Sequence, residues 1–265
     1  MRLKIEHTTR YRFEEPVYFG LQQLRKTPKS TQQQTVLSWN THVTNAVKEL
    51  EYEDHHHNCV ELISFEPELT ELEVSCQGEV DLTDTHGVVG AHRGPSPLWL
   101  YLNQTDLTRA RVRVRGLLKD HAISADLDGM HTLMAAIRDQ VSYKVGVSQT
   151  TWTAEDVLNA GHGVCQDHAH VFLAGARELG LPARYVSGYL MLDARTAQDA
   201  MHAWVEVHVS DLGWVGFDVS NGISPDTRYV RVATGLDYTD ASPVTGMRIG
   251  GARETLDVQI DVSQQ

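Results

Sequence analysis

Gly161-His162-Gly163-Val164-Cys165-Gln166-Asp167-His168-Ala169-His170 is a glycine-broken loop that runs directly into a helix, with a thiol in its first turn. The helix is set by periodicity. Val164, Ala169, Phe172, Leu173, Ala176 and Leu179 form one apolar stripe, with Arg177 and Glu178 off it. Gly180 stops the helix and Leu181-Pro182 blocks its continuation. Arg184 to Leu190, rich in aromatic and β-branched residues, then reads as a strand. The unpaired N–H groups and positive dipole end of a helix start favour a thiolate, so this is where a cysteine nucleophile gains most.

Downstream, Met201-His202-Ala203-Trp204-Val205-Glu206-Val207-His208-Val209 alternates as a strand, and Gly213-Trp214-Val215-Gly216-Phe217-Asp218 follows after a turn. The two read as an antiparallel hairpin. A turn centred near Ser210 places His202 directly opposite Asp218, on one face. A two-residue turn at Asp211-Leu212 instead sets Val205 opposite Asp218 and sends His202 to the other face. For the two side chains to meet, the connection needs an odd loop or a bulge between Ser210 and Gly213, and Gly213 suits a bulge.

Gly163-Val164-Cys165-Gln166-Asp167, then Ala203-Trp204-Val205-Glu206-Val207 after His202, then Gly213-Trp214-Val215-Gly216-Phe217-Asp218, resemble the bacterial transglutaminase-like cysteine protease family. His7-Thr8-Thr9-Arg10-Tyr11-Arg12-Phe13 is similar to that family's N-terminal β domain, and Asp237-Tyr238-Thr239-Asp240 with Pro243 to its C-terminal segment. The resemblance implies a papain-like core with Cys165 as nucleophile, His202 as general base and Asp218 orienting the imidazole. It departs in two places. Asp218-Val219-Ser220-Asn221 stands where the family tends to have Asp-Pro-Thr-Asn, and Leu236 replaces an arginine that would bring charge and a hydrogen-bonding fork to the substrate side.

On this reading the chain is a cysteine-dependent amide or peptide hydrolase that passes through a thioester acyl-enzyme. The Cys165 backbone N–H is the expected oxyanion donor, with Gln166 and Trp152 as cleft candidates. The tryptophan that eukaryotic transglutaminases place well upstream of the nucleophile has no counterpart, since Gly129 stands at that separation. Transfer to an amine, as in a transglutaminase or amidase, is the alternative chemistry. A catalytically silent peptide-binding module is the alternative class. No cofactor is expected. His162, Cys165, His168 and His170 have some appeal as zinc ligands, but all four would have to converge from one loop and one helical turn, and zinc gives no role to His202 and Asp218. His168 is then a helix-surface or supporting residue and His170 a partly buried, hydrogen-bonded one. Asp167 reads as structural, offsetting the helix dipole and accepting from backbone N–H groups. Trp204 and Trp214 read as core.

The fold class is α+β. Residues 1–120 form short alternating strands separated by turn residues, an antiparallel β-sandwich-like domain that includes Leu69 to Val80 and Thr108 to Leu117. Residues 121–265 form a papain/transglutaminase-like catalytic core. It holds a helix marked by Met130, Leu133, Met134, Ile137 and Val141, a short helix capped by Thr153 and Asp156, and returning strands at Tyr229 to Val232 and Leu256 to Val262. Which sheet receives those strands is open.

A chain of 265 residues with 41% hydrophobic content can build real cores without staples. Its net charge of −12 opposes nucleic acid as the main partner, and Arg109, Arg111, Arg113 and Arg115 read as a solvated strand face. The N-terminus alternates like a strand and lacks an apolar signal core, and no run is long enough to span a bilayer, so the expected location is cytoplasmic with no membrane partner. Cys59 and Cys76 read as inert thiols. His55-His56-His57 reads as a polar hairpin tip. Asp193 to Asp199 reads as a mobile rim loop beside the active site, with Arg195 on it. The expected partner is a peptide, a protein or a small amide; oligomeric state is not encoded legibly.

Overall fold

The computed structural model describes residues 1–192 and 197–265. In chain order the first region holds strands β1 (Arg2–Leu24), β2 (Gln34–Thr44), β3 (Ala46–Glu53), β4 (Cys59–Phe65), β5 (Leu69–Leu82) and β6 (Val88–Gly90). The helical region follows with α1 (Val112–Asp120), α2 (Leu127–Gln140), β7 (Ser142–Tyr143), α3 (Ala154–Ala160), β8 (His162–Gly163) and α4 (Cys165–Glu178). Last come β9 (Ala183–Leu190), β10 (Ala197–Gln198), β11 (His202–Val209), β12 (Gly213–Phe217), β13 (Tyr229–Gly235), α5 (Tyr238–Ala241), β14 (Val244–Gly250) and β15 (Glu254–Gln264).

The β1 strand organises the N-terminal sheet because it is long and changes partners along its length. Its first half pairs with β5 and β15, and its second half with β4 and β14. The change falls where the β5 register breaks between Arg12 and Val17, a stretch containing Pro16, which has no N–H to give a ladder. The two halves enclose Tyr11, Phe13, Val17, Leu24, Ile63, Phe65, Leu72 and Val74, which gives the region its sandwich-like core. Of the two late strands left without a sheet by the sequence, Leu256 to Val262 lies in β15 and returns to β1, as does β14, which the sequence reading did not find. By contrast Tyr229–Gly235 joins the second sheet, ordered β13-β9-β11-β12-β6 and antiparallel throughout.

Helix α4 is the centre of the α+β core. Every residue from Asp167 to Arg177 is buried, because helices α1, α2 and α3 cover it on one side and β9 and β11 on the other. The apolar stripe is therefore only part of its buried surface. Arg177 lies inside the protein, donating to the carbonyls of Tyr101, Ala183 and Leu236 and to Thr108 Oγ1. The expected cap is present, Thr153 and Asp156 forming a reciprocal capping box on α3, and at the start of α2 Asp126 also accepts from Gly129 N–H at 2.7 Å.

Three local expectations need correction. The arginine-rich stretch is not a strand face, since Val112–Asp120 is helix α1, with Val114, Leu117 and Leu118 buried and Arg113 and Arg115 exposed. Val-Arg-Val-Arg alternates like a strand. What selects the helix is remote: the Glu155 carboxylate accepts from the backbone N–H groups of Arg111, Arg113 and Val114, capping an end that has no capping side chain of its own. The His55-His56-His57 segment is a hairpin tip, but His56 is buried, with Nδ1 3.3 Å from Tyr101 Oη and Nε2 3.2 Å from Asp240 Oδ2, so the tip docks onto the core. Of the expected rim loop, Asp193, Ala194, Arg195 and Thr196 lie outside the described residues. Ala197 and Gln198 form a strand on β15, anchored by Gln198 Nε2 donating to the Leu190 carbonyl at 2.6 Å. Cys59 and Cys76 are free thiols, as read.

Candidate active site

The β11–β12 hairpin closes with Val209 paired to Gly213, leaving the three-residue loop Ser210-Asp211-Leu212. Asp211 at φ +68 and Gly213 at φ +75 supply the left-handed backbone this loop needs, and a Cβ on Gly213 would stand 2.2 Å from the Gly90 carbonyl oxygen. The loop is odd, as shared-face geometry requires. The registry differs from direct opposition, however: Val205 pairs Phe217, so Asp218, just past β12, meets His202 along the diagonal. His202 Nε2 donates to Asp218 Oδ2 at 2.7 Å.

Asp218 is completely buried and heavily supported. Its Oδ2 also accepts from Tyr229 Oη and Asn221 Nδ2, both at 2.7 Å, and its Oδ1 from the Asn221 backbone N–H at 3.2 Å. Burial alone would raise the carboxyl, but hydrogen bonds from His202, Tyr229 and Asn221 win, and it titrates below the ordinary aspartate range. For His202, burial opposes the charged ring, yet Asp218 and the Cys165 side chain outweigh it and lift the imidazole to about 10. With Nε2 committed to Asp218, Nδ1 is the nitrogen left to face the thiol. Trp204 stacks against the His202 ring with 6.3 Å between centroids, and Tyr229 meets Trp204 edge-on. Both tryptophans of the hairpin are core residues; Trp214 carries Arg184 over its ring at 4.0 Å.

Cys165 is the first residue of α4, half-buried. Val164 precedes it and brings no capping side chain, so the leading N–H groups of this helix have no side-chain acceptor from the cap position. Asp167 behaves as read: its Oδ2 accepts from Val164 N–H at 2.7 Å. Gly163 is glycine for a steric reason, since a Cβ there would stand 2.6 Å from Asp167 Cβ.

Cys165, Gln166 and His202 border one cavity of about 390 Å³, so Gln166 does face the cleft. Trp152 does not line it; its indole packs against His162, with centroids 5.8 Å apart. Two of the histidines weighed as zinc ligands have other partners. His168 is buried rather than on the helix surface, its Nε2–H donating to the Val141 carbonyl at 3.0 Å and its Nδ1 accepting from Ser220 Oγ at 2.9 Å. His170 is fully buried and accepts from the Tyr238 backbone N–H at 3.3 Å. Among the described residues no group of three or more His, Cys, Asp or Glu is arranged to hold a metal ion.

Ser220 uses its hydroxyl on His168, Asn221 is kept, and Leu236 acts through its main chain, accepting from Arg177 and donating to Asp240 Oδ2 at 2.9 Å. Sequence reasoning assigned no role to Tyr229, Tyr185, Tyr238 or Lys26, nor to His7, Thr9 and Tyr11, though all but Tyr229 line the cleft. For the last three a signal existed: they alternate on the buried face of β1.

Residues 118–219 match the transglutaminase-like superfamily core, and residues 3–81 match the bacterial transglutaminase-like N-terminal region. The chain belongs to the transglutaminase-like superfamily, with the bacterial N-terminal region ahead of the core. Among relatives, an uncharacterized Mycobacterium leprae protein, ML0607, is 27% identical over 99% of both chains. An uncharacterized Mycobacterium tuberculosis protein, Rv2569c, is 34% identical over 50% of this chain and 46% of its own length. The fold matches the crystal structure of a putative cysteine protease from Cytophaga hutchinsonii with TM-score 0.79, at 20% identity, over 99% of this chain and 90% of that one. Among the described residues no helix is long and apolar enough to cross a membrane.

Proposed function

We propose that this protein is a cysteine-dependent amide hydrolase acting on a peptide or a small amide through a thioester. The observation that carries the reading is the His202–Asp218 contact at 2.7 Å, with the other side of the imidazole turned to a thiol at the start of a buried helix. An imidazole lifted to about 10 holds a proton beside the Cys165 sulfur, where its charge stabilises negative charge that develops there. The Cys165 sulfur attacks the amide carbonyl carbon, and the oxyanion forms beside the Cys165 backbone N–H, a donor of the kind worth about 3–4 kcal/mol when aligned. His202 then gives its proton to the leaving nitrogen as the C–N bond breaks, leaving the thioester. Water attacks next, His202 takes its proton, and the C–S bond breaks to release the acid. Asp218 holds the ring and stabilises its charged form throughout. Its support by three further hydrogen bonds from Tyr229 and Asn221 suits that task.

The test is selective alkylation at pH 6 with an iodoacetamide probe, followed by mass analysis of the intact protein incubated with a peptide-amide panel. Rapid labelling confined to Cys165, an acyl adduct on that residue, and loss of both in folded Cys165→Ala protein support the hydrolase. Sluggish labelling with no adduct makes the cleft a peptide-binding site. Product amides formed only when a primary amine is added would instead assign acyl transfer.

A further inference from the structure

Lys26 follows β1 and is only 1% exposed, yet it borders the same cavity as Cys165 and His202. Its ammonium donates to Thr9 Oγ1 at 2.6 Å and lies 3.3 Å from His7 Nε2. Both acceptors are neutral: burial and the Lys26 charge push the His7 imidazole down to about 2, and its other nitrogen faces Tyr189 Oη at 3.0 Å. Among the described residues no carboxylate pairs with this ammonium. The other deeply buried cations are treated differently. Arg184 bonds the Glu206 carboxylate at 2.6 Å, and Arg177 sits in the field of Asp237 and Asp240.

An ammonium carries three donors, and the two neutral acceptors leave capacity toward the cavity. Burial pushes Lys26 down to about 8, so it is mostly charged at pH 7 while lacking a compensating anion. An anion entering the cleft would supply that compensation. The ligand chemistry is limited by what surrounds it: the cavity of about 390 Å³ has room for a short peptide segment, its walls mix Tyr11, Tyr185 and Tyr238 with aliphatic side chains such as Val244 and Leu256, and the carboxylate that borders it, Asp199, makes no ion pair with Lys26 among the described residues.

We propose that Lys26 is a substrate-binding residue that takes a carboxylate of the acyl donor, while the amide to be cleaved lies at Cys165. The assignment rests on the reading of this cleft as an amide-cleaving site. The carboxylate comes either from an acidic side chain or from a free peptide C-terminus.

The experiment uses two matched pairs, N-acetyl-Ala-Glu-Ala-amide against its Gln counterpart, and N-acetyl-Ala-Ala with a free C-terminus against its carboxamide. Binding is measured by calorimetry on the full-length Cys165→Ala protein at pH 7, with and without Lys26→Met or Lys26→Arg. The carboxylate member of one pair should bind about tenfold tighter or better, as for a charge-assisted hydrogen bond. Lys26→Met should erase the preference and Lys26→Arg keep part of it. The pair that shows it identifies the source of the carboxylate. Equal binding within both pairs, or a preference that survives Lys26→Met, overturns the proposal. Should Lys26→Met fail to fold, the lysine ammonium followed by NMR in the Cys165→Ala protein decides: its titration must move upward with the carboxylate peptide and not with the neutral one. A carboxylate preference in a protein whose native form cleaves nothing would sink the hydrolase reading and leave the Lys26 assignment standing.

Discussion

Replacing Tyr229 with phenylalanine removes one hydroxyl from a carboxylate oxygen that holds three donors, and it leaves the ring packed against Trp204. Asp218 is fully buried, so the lost bond is not screened by solvent. A hydrogen bond to a charged group contributes about 1.5–3 kcal/mol. His202 and Asn221 still serve the same oxygen, which argues for the lower end, about 1.5 kcal/mol, and the loss moves the Asp218 carboxyl upward. Because Asp218 is depressed in the folded protein, its stabilisation is present above the unfolded value of about 3.9 and is lost as pH falls through the folded value. Tyr229→Phe should therefore be less stable by about 1.5 kcal/mol at pH 7 in urea unfolding, with the gap closing as pH falls below the ordinary aspartate range. An equal gap at pH 7 and at the lowest pH with a cooperative transition would refute the electrostatic account and leave only packing.

Asp218→Asn should keep the fold and lower kcat by roughly 10⁴, as when a triad loses the carboxylate that sets its tautomer; peptide-amide turnover beside a circular dichroism spectrum checks both. The same variant tests the His202 titration. His202 is raised in the folded protein to about 10, so its stabilisation is full below the unfolded value of about 6.5 and is lost as pH climbs toward 10. The wild-type Tm should then fall more steeply than that of Asp218→Asn across this window, and parallel curves would remove Asp218 as the cause. Glu155→Ala should cost about 1–2 kcal/mol through the start of α1, read as a lower urea midpoint with unchanged cleft alkylation, because the Glu155 carboxylate caps that helix and lies away from Cys165.

The parts of the fold legible in the sequence are those whose determinants are local. The α4 helix announces itself through its apolar period, Gly180 and Pro182, and α3 through its Thr153–Asp156 box. The need for an odd β11–β12 loop followed from parity alone, since side chains alternate faces whatever the tertiary context. The exact registry did not, because loops of one and three residues share the same parity. Misreadings arose where a distant group decides. Residues 112–120 alternate well enough for a strand, and only Glu155, far along the chain, supplies the acceptors that make the helix start affordable. Arg177 looked solvent-facing beside Glu178, yet its guanidinium is drawn inward by three carbonyls and the Thr108 hydroxyl, from four separate segments. Tyr229 was readable as a strand residue, but its bond to Asp218 depends on β13 pairing with β9 across the sheet.

The cleft itself explains why the N-terminal region is more than an appendage to the core. Cys165, His202 and Asp218, the residues of the proposed chemistry, come from α4 and the β11–β12 hairpin. The opposite wall is built by His7, Thr9 and Tyr11 of β1, together with Lys26 just beyond it. That strand is held in place by β14 and β15, which arrive after the β13-β9-β11-β12-β6 sheet is complete, and β10, just ahead of His202, pairs with β15. The segment leading into His202 is thus tied to the same sheet that holds β1, which Lys26 follows. On the proposed function, chemistry falls to α4 and the β11–β12 hairpin and recognition to the wall built from β1, so a change in that wall should alter which amide sits at Cys165 without rearranging the His202–Asp218 pair.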